Sequence, residues 1–582
     1  MSALPTNSLA GSTAPPAKPW LPSWAIWLAG RPWAFYPLLA LLAAILYFPG
    51  QLEVPPLDRD EPRFAQASKQ MVETGNFIEI SFQDEARLKK PIAIYWLQSA
   101  SAAVLAPDEP TALWAYRLPS YLAMVLSVLL IAGIGRTLFK GPVGAIAAAL
   151  FAVAVLPGVE AHLAKTDAVL LALILAAQWA LARCWMATNP DTARGEVRTG
   201  PWVAAAFWLA IGAGVLVKGP VIILIAALTA MSLATWRWRG WWLLALRPLW
   251  GLPLALVVII PWFVAIHIAT DGAFWDEAVG RDFLAKIDAG QERHGGPPGY
   301  YLLAVWATFW PAAALIGFAV LGAWRGRAAP AVQFCLAWII PNWLVFEAVA
   351  TKLPHYVLPT YPAIALLAAY MLVRAGQRPH RAWVAQAVRA PVWIAVFVAA
   401  GLSLGMLVGP PFLGAGITVG ALAATVAFAV MAFALFRFGR RAYTAPFPLG
   451  IIILTAGLAY WPAYTQVLPS LSDLWVSSRL TEAVVANTPA ECTRPARLVT
   501  AGYGEPSLIF LGGTDTAAVG AEAAIPLLTA DPICTLAAVE ARQWPKFEAA
   551  LAGQLIETLE TIDGLNYSKG KRVSLRLVRL VR

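Results

Sequence analysis

Residues 115–136 read AYRLPSYLAMVLSVLLIAGIGR, and after the Arg136–Lys140 loop a second apolar run covers 142–160. As a helix, a run of this kind can cross a hydrocarbon core of roughly 30 Å. The cations between the two runs mark a loop of the sort that stays in the cytoplasm. Working outward from this pair, the same alternation fills most of the 582 residues. Further basic loops stand at Arg183–Arg198, Arg237–Arg247, Arg325–Arg327, Arg374–Arg381 and Arg437–Arg441. Placing all six inside predicts spans near 34–49, 115–136, 142–160, 167–187, 201–217, 220–236, 248–268, 299–323, 331–350, 356–374, 391–409, 413–436 and 446–465. The fold class is therefore an α-helical polytopic membrane protein with about thirteen transmembrane helices. Its N-terminus is expected inside and its C-terminal region outside.

Composition agrees. The chain is 59% hydrophobic and 13% charged, where a soluble protein carries roughly a quarter charged residues. Its 27 tryptophans suit membrane interfaces. The net charge of +10 follows from cytoplasmic loops and anionic ligands, so no nucleic-acid partner is expected. The first twenty residues are polar and Pro/Ala-rich, and read as a cytoplasmic tail rather than a signal peptide.

Two regions depart from the span pattern. Residues 91–107, PIAIYWLQSASAAVLAP, are short for a span and are bracketed by Lys89-Lys90 and Asp108-Glu109. They are predicted to be an interfacial helix in an outer loop covering about 50–114. Residues 466–582 alternate strand-like stretches such as ARLVTAGYG and RVSLRLVRLV with helical ones such as PKFEAALAGQLIETL. They predict a small external α/β domain, distinct from a transmembrane domain over 1–465. Cys492 and Cys534 are the only cysteines in that domain, and an oxidising compartment would join them as a disulfide.

With this topology the remaining ionisable residues collect at one surface: Asp60, Glu61, Arg63, Arg87 and Lys90 in the first outer loop, then Glu160, His162, Lys165 and Asp167, then Lys218, and finally Lys352 and His355. Charges at membrane depth mark function by default. Single members have plainer readings: Asp60 as a helix start in DEPRFA, Lys218 as a snorkelling cation. The repetition across several loops does not. Cations bind a phosphate and stabilise it as a leaving group, and a carboxylate accepts a proton from a nucleophile or orients it. Outside the cytoplasmic membrane a sugar donor has to be lipid-linked, and polyprenyl phosphates fill that role.

Three stretches carry a resemblance: LDRDEPRFAQASKQMVETGNF at 57–77, KKPIAIYWLQ at 89–98 and KLPHYVLPTYPAIALLAAY at 352–370. Together with TDAVL at 166–170, KGP at 218–220 and RHGGPPGYY at 293–301, they resemble the bacterial lipid A aminoarabinose transferase family. That family consists of GT-C-class, polyprenyl-phosphate-dependent glycosyltransferases related to protein O-mannosyltransferases. The resemblance implies a GT-C fold and transfer of 4-amino-4-deoxy-L-arabinose from undecaprenyl phosphate to lipid A, by inverting single displacement. It makes Asp60 and Asp167 the candidate catalytic carboxylates. Glu61, Arg63, Arg87, Lys90, His294, Lys352 and Tyr356 become candidate substrate-binding residues. Implied partners are the lipid-linked sugar donor, lipid A or another periplasmic acceptor, and membrane lipids. The implied location is the bacterial inner membrane, with the site facing the periplasm. No cofactor is required, and a divalent metal, its ligands unassigned, is left open. Before KP the family commonly reads Tyr-Phe-Glu-Lys, whereas this chain reads Arg87-Leu88-Lys89-Lys90. The gain in positive charge leaves transfer of galacturonic acid, mannose or another sugar to lipopolysaccharide core or to protein as alternatives. A transporter of lipid-linked sugars is the non-enzyme rival, although no internal repeat supports it.

Overall fold

The computed structural model describes residues 31–57, 59–139, 141–188, 199–237, 240–278, 280, 295–374, 382–441, 449–493 and 495–581. Among the described residues nine helices are long and apolar enough to cross a membrane, and two further pairs qualify as bent spans. The helices Pro32–Tyr47 and Val221–Arg237, of 16 and 17 residues, occupy the other two expected positions. Each of the thirteen expected segments thus has a helical counterpart, though not each is a straight membrane-length rod. This is a multi-pass membrane protein.

The bends are where the sequence pattern misleads. Val143–Ala152 and Val155–Ala161 meet at 67°, and Tyr300–Thr308 and Ala312–Gly326 at 116°. Hydropathy is continuous through both breaks and carries no sign of them. The first break turns the segment bearing Glu160 away from the axis of the preceding helix. Near the opposite end of that helix, the Arg136 loop is tight because Gly135 lies against the Gly144 backbone, where a Cβ on Gly135 would collide. Small residues allow this close approach.

The first outer loop folds as the helix Asp60–Thr74, a two-strand hairpin of β1 (Ser81–Phe82) with β2 (Glu85–Ala86), and the helix Ala93–Leu105. The last is the expected short apolar helix of 13 residues. Asp60 and Glu61 occupy the first turn of their helix, where carboxylates complement the helix dipole. Gly75 ends it at φ +70, a left-handed C-cap donating its N–H to Met71.

The C-terminal region carries a five-stranded sheet, β3 (Arg497–Ala501), β4 (Ala517–Val519), β5 (Thr535–Glu540), β6 (Ile556–Asn566) and β7 (Lys571–Leu580), in the order β4-β3-β5-β7-β6. β3 pairs in parallel with β4 and β5, and β7 antiparallel with β5 and β6. Parallel neighbours need helical crossovers, and Pro506–Gly512 and Ala521–Ala530 supply them. Cys492 and Cys534 are bonded, with Cα atoms 5.7 Å apart.

This sheet unit docks on the Asp60 helix. Lys69 Nζ donates to the Phe510 carbonyl (3.2 Å), Gln66 Nε2 to Thr514 Oγ1 (2.8 Å), and Thr514 Oγ1 to a Glu73 carboxylate oxygen (2.7 Å). Gln83 Nε2 donates to the carbonyls of Thr514 and Thr516. On another side the same helix meets Ala93–Leu105: Ser68 Oγ donates to Gln98 Oε1 (2.7 Å), and Ser99 Oγ to the Ser68 carbonyl (2.8 Å). Ten of its fifteen residues are buried, five of them polar, and each of those five makes a side-chain hydrogen bond, while Gln66 Oε1 finds no partner among the described residues.

Candidate active site

Glu61 sets the position of its neighbour. Its side chain is fully buried and paired with Arg117, also fully buried, from the helix Leu113–Leu138. Arg117 Nε and Nη2 donate to the two carboxylate oxygens at 2.8 and 3.0 Å. The backbone N–H groups of Leu57 and Ala164 donate to the same carboxylate. Arg117 also donates to the carbonyls of Val54 and Pro55. One carboxylate thereby ties the loop before the helix, a spanning helix and the 162–166 turn into one frame. The structure thus places Glu61, expected to bind substrate, in this frame and not among the described residues that line the two cavities.

Asp60, one position earlier, faces the other way. Its side chain is 52% exposed and lines a polar cavity of about 850 Å³ together with Arg59, Arg63, Arg87, Lys89 and Lys90. Arg63 Nη1 donates to Asp60 Oδ1 at 3.3 Å. Burial by itself would push this carboxyl up, but Lys165, Arg87 and Arg63 outweigh it and hold the group below the usual carboxylate range. Arg87 lies over the Phe64 ring at 5.2 Å and donates to the Tyr95 hydroxyl, which fixes it on the cavity wall. The sequence expected Asp60, Arg63, Arg87 and Lys90 at one site, and the structure brings the four together.

A second cavity, of about 470 Å³, is walled mainly by apolar side chains, among them Leu170, Leu171, Val221, Val345 and Phe346. Its polar groups are Lys90, Asp167, Lys218, His355 and the Tyr356 ring. Lys218 ends the helix Pro201–Lys218 and donates to Asp167 Oδ1 at 2.5 Å. Lys90 and His355 line both cavities, so polar and apolar spaces meet at these two residues.

Around the junction charges alternate. His355 Nε2 lies 3.7 Å from Asp167 and its Nδ1 3.9 Å from Glu160, while Lys165 Nζ lies 3.8 Å from Glu160. Ligand atoms of Glu160, Asp167 and His355 fall within 4.8 Å of one another, the spacing of a metal site. The surrounding cations argue against that fit. Lys218 and Lys165 already stand against the two carboxylates, and a divalent ion would have to displace them or share the site with two positive charges.

The other candidates divide. Tyr356 lines the apolar cavity, with Lys218 Nζ 5.8 Å from its ring centroid. Lys352 is set into the interior at a helix end. It is 5% exposed and donates to the carbonyls of Phe346, Glu347 and Val349. It therefore caps the helix Pro330–Ala348, whose last carbonyls have no partners within the helix. His294 lies outside the described residues. Sequence reasoning passed over Arg117, although a lone arginine in an apolar span was itself a readable signal. It also passed over Glu505, for which no local signal exists.

A family model described as dolichyl-phosphate-mannose-protein mannosyltransferase matches residues 89–264. An undecaprenyl phosphate-alpha-4-amino-4-deoxy-L-arabinose arabinosyl transferase from Pseudomonas fluorescens is 29% identical over 318 residues, covering 54% of this chain and 55% of the relative. The transferase of the same name from Edwardsiella ictaluri is 28% identical over 342 residues, covering 58% of each. The chain thus spans a little over half the length of the curated relatives it matches. Crystal structures of ArnT from Cupriavidus metallidurans superimpose with TM-scores of 0.67 in the apo state and 0.64 bound to undecaprenyl phosphate. Both are 19% identical, and each comparison covers 93% of this chain and 97% of the other. The resemblance read from the motifs is borne out: the fold is of the GT-C type, and the sequence is similar to that of aminoarabinose transferases.

Proposed function

We propose that this protein is a glycosyltransferase that moves a sugar from undecaprenyl phosphate to lipid A or a related periplasmic acceptor, with 4-amino-4-deoxy-L-arabinose the leading sugar. The observation that carries the reading is the junction of a polar and an apolar cavity at Lys90 and His355. A polyprenyl-phosphate sugar has that partition built into it. Its isoprenoid tail suits the space lined by Leu170, Leu171 and Phe346, and its phosphate suits Lys90 and Lys218. Its sugar would enter the polar cavity beside Asp60. The names of the curated relatives and the lipid held by the Cupriavidus metallidurans neighbour support the same donor.

In this reading an acceptor oxygen attacks the anomeric carbon, the bond from that carbon to the phosphate oxygen breaks, and undecaprenyl phosphate leaves with the electron pair. The product has inverted configuration. Asp60 takes the acceptor's proton or orients the acceptor, depending on whether it is a hydroxyl or a phosphate. Asp167 holds Lys218 towards the leaving phosphate. The protein lies in the inner membrane with its site facing the periplasm, and divides near residue 465 into a transmembrane domain and a periplasmic domain.

A specific observation favours a second sugar class. Arg87 and Lys89 both line the polar cavity, where they would repel an ammonium-bearing sugar and attract a uronic acid. Mass spectrometry of lipid A and of polyprenyl-linked sugars, in cells with and without the protein, tests the reading. A lipid A profile unchanged by its loss, with no polyprenyl-linked sugar accumulating, would remove it. Labelling of a cysteine introduced at Gln83 from the periplasmic side tests the orientation.

A further inference from the structure

The sheet unit contributes wall to the polar cavity. Gly504, Pro506 and Ile509, which follow β3, line it together with Arg59, Asp60 and Arg63. Between Gly504 and Pro506 stands Glu505, only 5% exposed. Its Oε1 accepts from Asn566 Nδ2 at 2.8 Å and lies 3.4 Å from Lys569 Nζ, both at the β6–β7 turn. Its Oε2 lies 3.3 Å from Arg59 Nε. Arg59 immediately precedes Asp60, and Tyr567, from the same β6–β7 turn, donates to the carbonyl of Pro56 just upstream. A carboxylate fixed inside the sheet unit therefore forms an ion pair with the residue beside the candidate catalytic group.

We infer that Glu505 is a positioning residue for the transfer, holding the Arg59 guanidinium in one orientation on the acceptor side of the polar cavity. The inference rests on the function proposed above. A guanidinium is a planar fork on a flexible stem, and what it recognises depends on the direction of its plane. The Glu505 carboxylate, 3.3 Å from Nε as an ion pair rather than a hydrogen bond, draws the guanidinium to its own side. Glu505 can do this because its other oxygen is already held by Asn566 and Lys569. Arg59 lines the polar cavity and is not among the described residues lining the apolar one. Its placement therefore bears on the acceptor and the sugar that meet in the polar cavity, while donor binding rests on the lipid tail and on the phosphate beside Lys218.

The test uses the full-length protein in lipid nanodiscs, with undecaprenyl-phosphate-linked aminoarabinose as donor and lipid A as acceptor. Glu505→Gln keeps the shape and removes the charge. It should raise the acceptor KM about tenfold and leave the donor KM within about twofold. Arg59→Gln should do the same, and the double variant should be no worse than Arg59→Gln alone, since one residue acts through the other. Arg59→Lys, which keeps charge but has no planar fork, should reproduce the acceptor defect even if Glu505→Gln folds poorly. Thr514→Val breaks a docking contact elsewhere on the sheet unit and should lower Tm without changing the acceptor KM. The inference is overturned if Glu505→Gln behaves as wild type, if its loss adds in full to that of Arg59→Gln, or if its effect follows Tm as with Thr514→Val. Absence of any transfer by the wild type would overturn the proposed function and this inference with it.

Discussion

The two faces of the Asp60 helix treat the same chemical group in opposite ways. On the cavity face Asp60 stands half-exposed among cations. On the buried face Glu61 is sealed against Arg117, with Leu57 and Ala164 filling its other acceptor positions. A helix rotates about 100° per residue, so adjacent carboxylates need not share surroundings. The buried face supplies rigidity, which lets the exposed face keep an ionised group in a fixed place. The same division separates two lysines: Lys90 at the junction of the cavities and Lys352 spent on a helix end.

Four substitutions test this division, in descending order of expected effect. Asp60→Asn should lower turnover by about 10²–10⁴-fold if the acceptor must lose a proton, with the fold and donor binding kept. Turnover of purified protein with unchanged Tm is the measurement, and near-normal turnover would erase the functional side of the comparison. The same residue gives a pH signature. Because neighbouring cations hold its pKa below the ordinary carboxylate value of about 3.9, it stays ionised as pH falls from neutral towards that value. It is lost only below it. Any acid limb arising from Asp60 should therefore lie below the usual range, and Arg87→Gln should move that limb upward.

Glu61→Gln should act on the other face. It leaves Arg117 buried without its counter-charge, at a cost of about 3–5 kcal/mol in stability. Thermal unfolding and the yield of folded protein report it, while turnover per folded molecule should change little. A stable variant with lost turnover would put Glu61 back among the substrate-binding groups. Lys90→Ala should weaken donor binding by about 1.5–3 kcal/mol through loss of a charge-assisted contact, read as a higher donor KM with kcat less affected. Smallest is Lys352→Met, about 1–2 kcal/mol of stability from uncapped carbonyls, with the donor KM unchanged. A raised donor KM in this last variant would show that the two lysines are not divided as described.

The apolar helical segments were legible in the sequence because they depend on a local property, apolar length. The short helix at Ala93–Leu105 was legible for the same reason, and the alternation of strand-like and helical stretches announced an α/β C-terminal region, though not the order or direction of its strands. The bends at residues 153–154 and 309–311 were not, since apolar composition continues through them. At the site, residue types and motif positions drew attention to Asp60, Arg63, Arg87 and Lys90, which do share a cavity. What each ionisable group does was harder to read, because it depends on partners far away in the chain. Glu61 is settled by Arg117, Lys352 by the carbonyls ending Pro330–Ala348, and Arg59 by Glu505. None of these pairings leaves a local pattern.

Arg117 has a consequence for how the chain is made. It lies close to the start of the helix Leu113–Leu138, whose other charged residue, Arg136, stands in the last turn. An arginine costs about 2.5–3.5 kcal/mol at the centre of an inserting helix and much less near an end, where its long stem reaches the headgroups. The helix can therefore enter the bilayer while Arg117 rests at the surface. By then Glu61, earlier in the chain, has already emerged from the ribosome. Once the loop packs down, the two withdraw from water together. Closure of this pair therefore waits on the packing of the loop, because until Glu61 arrives a buried Arg117 has no counter-charge.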